Sequence, residues 1–304
     1  MTIRPLAILD LPQLYRFREE AIGLDTARTL TRGNPLGAGR LLAYMNPARH
    51  VYSAIANGED ESVLGGVIHS RDETFAKLLY LAPASQLNHP SLPALIENLS
   101  VQAGGWGAFH VLAEVDETGD VFVPLRKAGF SVYAWQRMWE ISGETESTAS
   151  LDWTRVRSIH LPAVQSLFHQ IVPPLLHPIE PQPKTPIGWI SSDGAKCYVS
   201  VTHGTYGIVL TPLIHPEATE VSEKLSALIS NLPDRRNRPV YICVRSYQAW
   251  LEPVLADLGA KAAARQAVMV KHLARLVKEA QTASGVPSGV TVQPSRVSHV
   301  ERQK

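Results

Sequence analysis

The sequence predicts an α/β protein (α+β) in which one fold, a mixed central sheet flanked by helices, is used twice. Two observations carry this prediction. Residues 109–141 recur as 240–273: a strand-like run, a helix ending in Leu-x-x-x-Gly, then a second apolar run. A shift of 130 positions brings Leu125 onto Leu255, Gly129 onto Gly259 and Gln136 onto Gln266. The chain has 304 residues, which suits two domains of about 150 residues each. An internal repeat of this length fixes the architecture before any single motif does.

The elements follow in chain order. Residues 2–6 read as a strand. Asp10 stands where a helix N-cap is expected, ahead of Leu11, Leu14 and Tyr15, and Pro12 suits a first turn. A stretch marked by Gly33, Asn34, Pro35, Gly37 and Gly39 breaks the pattern. Strands are expected at 50–57 and 62–70, joined at Asn57-Gly58-Glu59-Asp60, and at 75–82. After a polar loop at 83–91, Leu92, Leu95, Ile96 and Leu99 share one face of a helix. The repeated strand–helix–strand unit then closes the half.

Residues 143–151 are polar and aperiodic and read as a linker between domains at 1–142 and 152–276. The second domain restarts the order, with a strand at 154–159 and a helix opened by Leu161-Pro162. A proline-rich irregular stretch at 172–186 follows, then strands at 188–190, 195–203 and 206–213 and a helix over 217–232. Residues 277–304 are rich in Ser, Gly, Pro and Gln and are expected to be a disordered tail.

Composition narrows the function classes. The apolar fraction is 45% and the formal net charge is +1, so bulk charge predicts neither a nucleic-acid nor an anionic-membrane partner. No apolar run approaches the ~20 residues of a membrane span, and no secretory signal is visible, so a cytoplasmic location is expected. Cys197 and Cys243 lie in apolar strand-like runs with no metal-ligand spacing around them, and they read as buried thiols. His69, His110 and His203 sit in strands without partners at metal spacing, so no metal site is expected.

The order β-α-(α)-β-β-β-α-β-α-β, closing on Leu125-Arg126-Lys127-Ala128-Gly129-Phe130, resembles the GNAT (GCN5-related N-acetyltransferase) superfamily. The second half keeps the glycine at Gly259, with Ala260 in place of the Phe. The glycine has a physical task, since a helix that turns back into a strand needs a residue at positive φ. The resemblance implies tandem acyl-CoA N-acyltransferase folds. It implies acetyl-CoA bound between the splayed strands 75–82 and 109–115, with its pyrophosphate on the helix that follows the first of these. Leu81, Ala82, Gln86, Asn88, His89 and Ser91 are the residues it assigns to that cofactor.

Two departures from the family pattern stand out. The phosphate loop of the family carries glycines, and neither 83–91 nor 212–220 has one; the second loop is acidic as well. The family's Tyr acid, four residues before the helix-ending glycine, is Leu125 in one half and Leu255 in the other. Glu114 remains as a candidate base and Tyr80 as a substrate contact, each with a structural alternative: a solvent-facing strand residue and a packed aromatic. Asp116, Glu117 and Asp120 are explained by helix capping. Two functions follow from this reading. One is acyl transfer from acetyl-CoA to a small-molecule or peptide amine, centred on the first half. The other is a tandem binding or interaction protein that keeps the fold without CoA chemistry.

Overall fold

A computed structural model describes residues 2–37, 50–57, 62–142, 153–192 and 195–273. The first half runs β1 (Thr2–Pro5), α1 (Leu11–Arg16), β2 (Ile22–Gly23), α2 (Thr26–Arg32), β3 (Val51–Asn57), β4 (Ser62–His69) and β5 (Phe75–Ala82). It continues through α3 (Leu92–Gly105), β6 (His110–Asp116), α4 (Phe122–Lys127) and β7 (Ser131–Ile141). The second half runs β8 (Trp153–Arg155), α5 (Leu161–Ile171), β9 (Trp189–Ser191), β10 (Cys197–His203), β11 (Ile208–Ile214), α6 (Val221–Ser230), β12 (Val240–Arg245), α7 (Leu251–Asp257) and β13 (Lys261–His272). The expected linker and tail lie outside the described residues, as do Gly39 and most of the turn at 57–60.

One sheet runs through both halves in the order β1-β3-β4-β5-β6-β13-β7-β12-β11-β10-β9-β8, with β2 added to β5. The last strand of each half lies in the other half's sheet. β13 separates β6 from β7 and pairs antiparallel with both, while β7 pairs with β12. Gln136 and Gln266, equivalent under the 130-residue shift, sit opposite each other in the β7–β13 ladder and are joined by a 2.9 Å side-chain hydrogen bond. The repeat therefore has a local two-fold relation passing between these two glutamines. Each half contributes the strand that completes its counterpart, so the two halves share one sheet.

The helix ends repeat atom for atom. Leu125 and Leu255 are both fully buried. The N–H of Phe130 bonds the Leu125 carbonyl and that of Ala260 bonds the Leu255 carbonyl, with Gly129 and Gly259 at φ +90° and +75° between them. This is the left-handed stop that glycine supplies at least cost.

Apolar side chains of α3 and α4 cover one face of the first half, where Leu95, Ile96, Leu99 and Leu125 pack on Leu78, Val111 and Val115. Ala267 and Met269 of β13 are buried in the same cluster. The corresponding cluster of the second half gathers α6, α7, β11 and β12, with the β7 residues Trp139 and Ile141 added from the first half.

Some local expectations shift. The strand expected over 154–159 stops at Arg155, and Ser158–His160 forms a 3₁₀ turn before α5. The helix expected over 217–232 starts only at Val221, because Glu220 adopts φ +56° and cannot begin it. Ser91 precedes α3 without a side-chain cap; Pro93 in the first turn leaves one donor fewer to satisfy. Asp10 turns away from α1 to pair with Arg4 at 2.6 Å and to accept the Ala7 N–H at 2.8 Å.

Candidate functional site

β5 and β6 run parallel and pair only at Phe75–His110, Ala76–Val111 and Lys77–Leu112. Beyond Lys77 the strands diverge. The gap holds the chain's own backbone. β2 pairs with β5 at Ile22–Leu81 and Gly23–Tyr80, and the Leu24 N–H bonds the Leu79 carbonyl at 3.0 Å. On the other side, the Glu114 N–H of β6 bonds the Leu24 carbonyl at 2.9 Å. Leu24 is thus stitched between the diverging strands, and its side chain is buried in the core. Asp25 follows as the N-cap of α2, accepting the Arg28 N–H at 3.2 Å.

The second half repeats the closure with a side chain. β11 and β12 pair at Ile208–Val240, Val209–Tyr241 and Leu210–Ile242 and then part. Gln248, buried to 1% exposure, fills the gap. Its carbamoyl oxygen accepts the Ile214 N–H and its nitrogen donates to the Pro212 carbonyl, both at 2.9 Å. Replacing it (Gln248→Leu) strands two buried backbone groups at about 1–3 kcal/mol each. The variant is expected to lose ~2–6 kcal/mol in urea unfolding, and Gln248→Glu, which keeps only the acceptor, also loses stability.

Several donors of the loop at 83–91 already have partners. The N–H groups of Gln86, His89 and Leu92 bond the carbonyls of Pro83, Gln86 and His89, and the Ser91 N–H bonds His89 Nδ1 at 3.1 Å. Ser85 gives both its N–H and its hydroxyl to the Glu20 carboxylate. Of the six residues assigned to a cofactor, Leu81 and Ala82 are buried in two core clusters, Ser91 is buried, and Asn88 is exposed beside half-exposed Gln86 and His89. Tyr80 is fully buried among Leu14, Leu36, Ile55 and Leu64, with its ring where a Cβ on Gly66 would fall. It packs as a core aromatic.

Glu114 faces a cavity of about 280 Å³ between the halves. Its floor comes from β5, β6, β7, β10, β11 and β12, and residues 180–187 of the proline-rich segment close over it. A buried charge network lies along one wall. Arg245 Nε donates to Glu180 Oε1 at 2.8 Å and Nη1 donates to Gln136 Oε1. The Glu180 carboxylate also accepts the hydroxyls of Tyr133 (2.9 Å) and Tyr247 (3.1 Å). Burial, with the adjacent Glu180 charge, pushes both tyrosines above their ordinary range, so both stay protonated donors. Glu114 Oε2 accepts the Thr26 N–H at 2.9 Å, while Oε1 lies 4.0 Å from Arg245. Lys77 Nζ stands 3.4 Å from Asp25.

Cys243 lies on the same wall with its thiol donating to Gln136 Oε1 at 3.4 Å. Burial pushes this thiol up to about 12, so it is protonated at pH 8 and not a nucleophile. Iodoacetamide at pH 8 is expected to label neither Cys243 nor the buried Cys197 in the folded chain, and both after unfolding.

The sequence reading placed Glu114 at the site and missed its neighbours. Arg245 and Glu180 come from the second half, and no spacing links them to Glu114. The α2 helix did carry a signal, with Asp25 as N-cap and Gly33 at φ +77° as its stop. Among the described residues no group of three or more His, Cys, Asp or Glu side chains is placed to hold a metal ion, and no helix is long and apolar enough to cross a membrane.

No protein-family model matches the chain, and no curated protein matches it in sequence. Solved structures do match. A GCN5-related N-acetyltransferase from Sphaerobacter thermophilus aligns over 89% of this chain and 95% of its own, with TM-score 0.55 and 12% identity. A tandem GNAT protein from the clavulanic acid biosynthesis pathway aligns over 90% of this chain and 99% of its own, with TM-score 0.52 and 12% identity. A Pyrococcus horikoshii protein aligns over 90% and 89%, with TM-score 0.54 and 10% identity. The likeness is one of fold: the chain carries the GNAT fold in tandem.

Proposed function

We propose that this chain, a tandem GNAT fold, is a binding protein that holds a small molecule in the cavity between its halves and carries no acetyl-CoA between its splayed strands. The observation that carries this reading is the closure of both gaps by the chain itself, through Leu24 in the first half and Gln248 in the second. A cofactor lying between the splayed strands would meet strand-edge groups that already have partners. The glycine-free loop at 83–91, whose Ser85, Gln86, His89 and Ser91 N–H groups already have partners within the chain, and the leucines in place of the family's tyrosine acid support the same reading. In a thermal melt, millimolar acetyl-CoA is expected to leave the midpoint unchanged. A rise of several degrees, as binding to the native state produces, or CoA co-purifying with the chain, would sink the proposal.

A second reading is favoured by one observation, the Glu114 carboxylate facing the cavity with one oxygen free of a hydrogen bond. In that reading the chain transfers an acetyl group from acetyl-CoA to an amine. The amine nitrogen attacks the thioester carbonyl, Glu114 takes the amine proton, and CoA leaves as the thiolate. It requires the 22–26 segment to leave its gap, and it predicts acetyl transfer that falls at least tenfold in Glu114→Gln.

A further inference from the structure

We infer that the ligand of the inter-half cavity is a small carboxylate with an apolar body, anchored by Lys77 and Arg245. The inference rests on the binding-protein reading above and adds the chemistry of the ligand.

Hydrogen-bond accounting points to it. Of the carboxylates on the cavity wall, Glu180 is well supplied with donors, and Glu114 has a donor at Oε2 only. Glu180 accepts Arg245, Tyr133 and Tyr247, and Glu114 accepts the Thr26 N–H. The cations are not matched in the same way. A guanidinium has five N–H donors; Arg245 gives one to Glu180 and one to Gln136, and its Nη2 stops 4.0 Å from Glu114, beyond hydrogen-bond reach. An ammonium has three donors, and the ion-pair partner of Lys77 is Asp25 at 3.4 Å. Spare donors on Arg245 and Lys77 therefore line the cavity, beside one open acceptor, Glu114 Oε1.

Burial disfavours the Lys77 charge, but Asp25 and Glu114 favour it by more than burial and Arg245 oppose it, so Lys77 stays a cation. An anion seated at the two cations takes their unused donors, in charge-assisted bonds stronger than neutral ones. Lys77 lines the cavity. The rim pair of Lys184 with Glu73, at 3.1 Å, is self-neutralised.

The apolar lining sets the rest of the ligand. Phe168, Met138, Val209 and Leu213 line the same cavity, and inorganic phosphate or sulfate would leave them uncovered. The volume of about 280 Å³ lies at the lower end of small-molecule pockets. A short aliphatic or aryl acid fits both constraints.

The test uses the full chain, titrated calorimetrically with carboxylates from butyrate to octanoate, benzoate and phenylacetate, each beside its neutral amide and the amine of equal length. Acetyl-CoA is run in parallel. The expected result is saturable binding of at least one carboxylate, at least tenfold tighter than its amide or amine. Lys77→Gln is expected to weaken that binding at least tenfold, and Lys77→Arg to restore it. If Lys77→Gln fails to fold, the comparison of acid with amide on the unaltered chain decides alone. Amides or amines binding as tightly as the acids overturns the carboxylate assignment and leaves the binding-protein reading standing. Absence of carboxylate binding up to about 10 mM overturns the assignment as well. Binding of acetyl-CoA overturns the binding-protein reading itself.

Discussion

Ala267→Asp is expected to unfold the first half of the molecule, although residue 267 belongs to the last strand of the second. Ala267 has no exposed surface and sits in a cluster with Leu78, Val111, Val115 and Leu125. It is paired to Val115 on β6 and Trp135 on β7. A carboxylate there has no cation and no donor, and burying it costs several kcal/mol or forces protonation. The expected loss is ~3–5 kcal/mol, a large part of the roughly 5–15 kcal/mol that holds an ordinary domain together. Ala263→Asp, on the exposed start of the same strand, is the control and should fall within about 0.5 kcal/mol of the parent. Denaturant melts read the size of the effect, and limited proteolysis locates it. Two separately closed halves would confine the damage to residues after 153. The exchanged strand predicts new cleavage in the first half as well.

Arg245→Met is the second large effect. Arg245 is the cation for Glu180, and the Arg245 and Glu180 side chains are 10% and 7% exposed. Removing the guanidinium leaves a buried carboxylate held by two tyrosine hydroxyls, and breaking a buried pair from one side typically costs about 3–5 kcal/mol. Glu180 sits in the proline-rich segment over the cavity, beside Ile179, which packs on Phe75, Leu112 and Val270. The variant should therefore melt earlier and become protease-sensitive at 173–187 first. The double variant Arg245→Met with Glu180→Gln removes both charges and is expected to recover part of the loss, a non-additivity that a double-mutant cycle reads directly.

Much of the scaffold was legible because it depends on local chemistry. The Leu-x-x-x-Gly stops predicted both helix ends, and periodicity located β5 to the residue. The glutamines at 136 and 266 were visible as repeat partners, but a repeat does not say whether equivalent strands pair within a copy or across copies. That choice depends on the global closing of the sheet, so the exchange of β7 and β13 stayed hidden. The site was less legible for a similar reason. Glu114 stood out as a strand carboxylate, while Arg245 and Glu180 looked like unrelated residues until the fold brought them together. β2 is two residues long and owes its existence to the open edge of β5, so no periodicity marks it. Gln248 acts through an amide that only the parted strands of the second half require.

The chain occupies its own strand gaps, and on the proposed function it keeps them closed. Amide hydrogen exchange tests this most directly, because the Leu24 and Ile214 N–H groups are bonded only as long as the gaps stay filled. Both amides are predicted to exchange slowly, at rates unchanged by millimolar acetyl-CoA. Rapid exchange at Leu24 on adding acetyl-CoA, with protection maintained in the surrounding sheet, would show the segment giving way to the cofactor and would contradict the account.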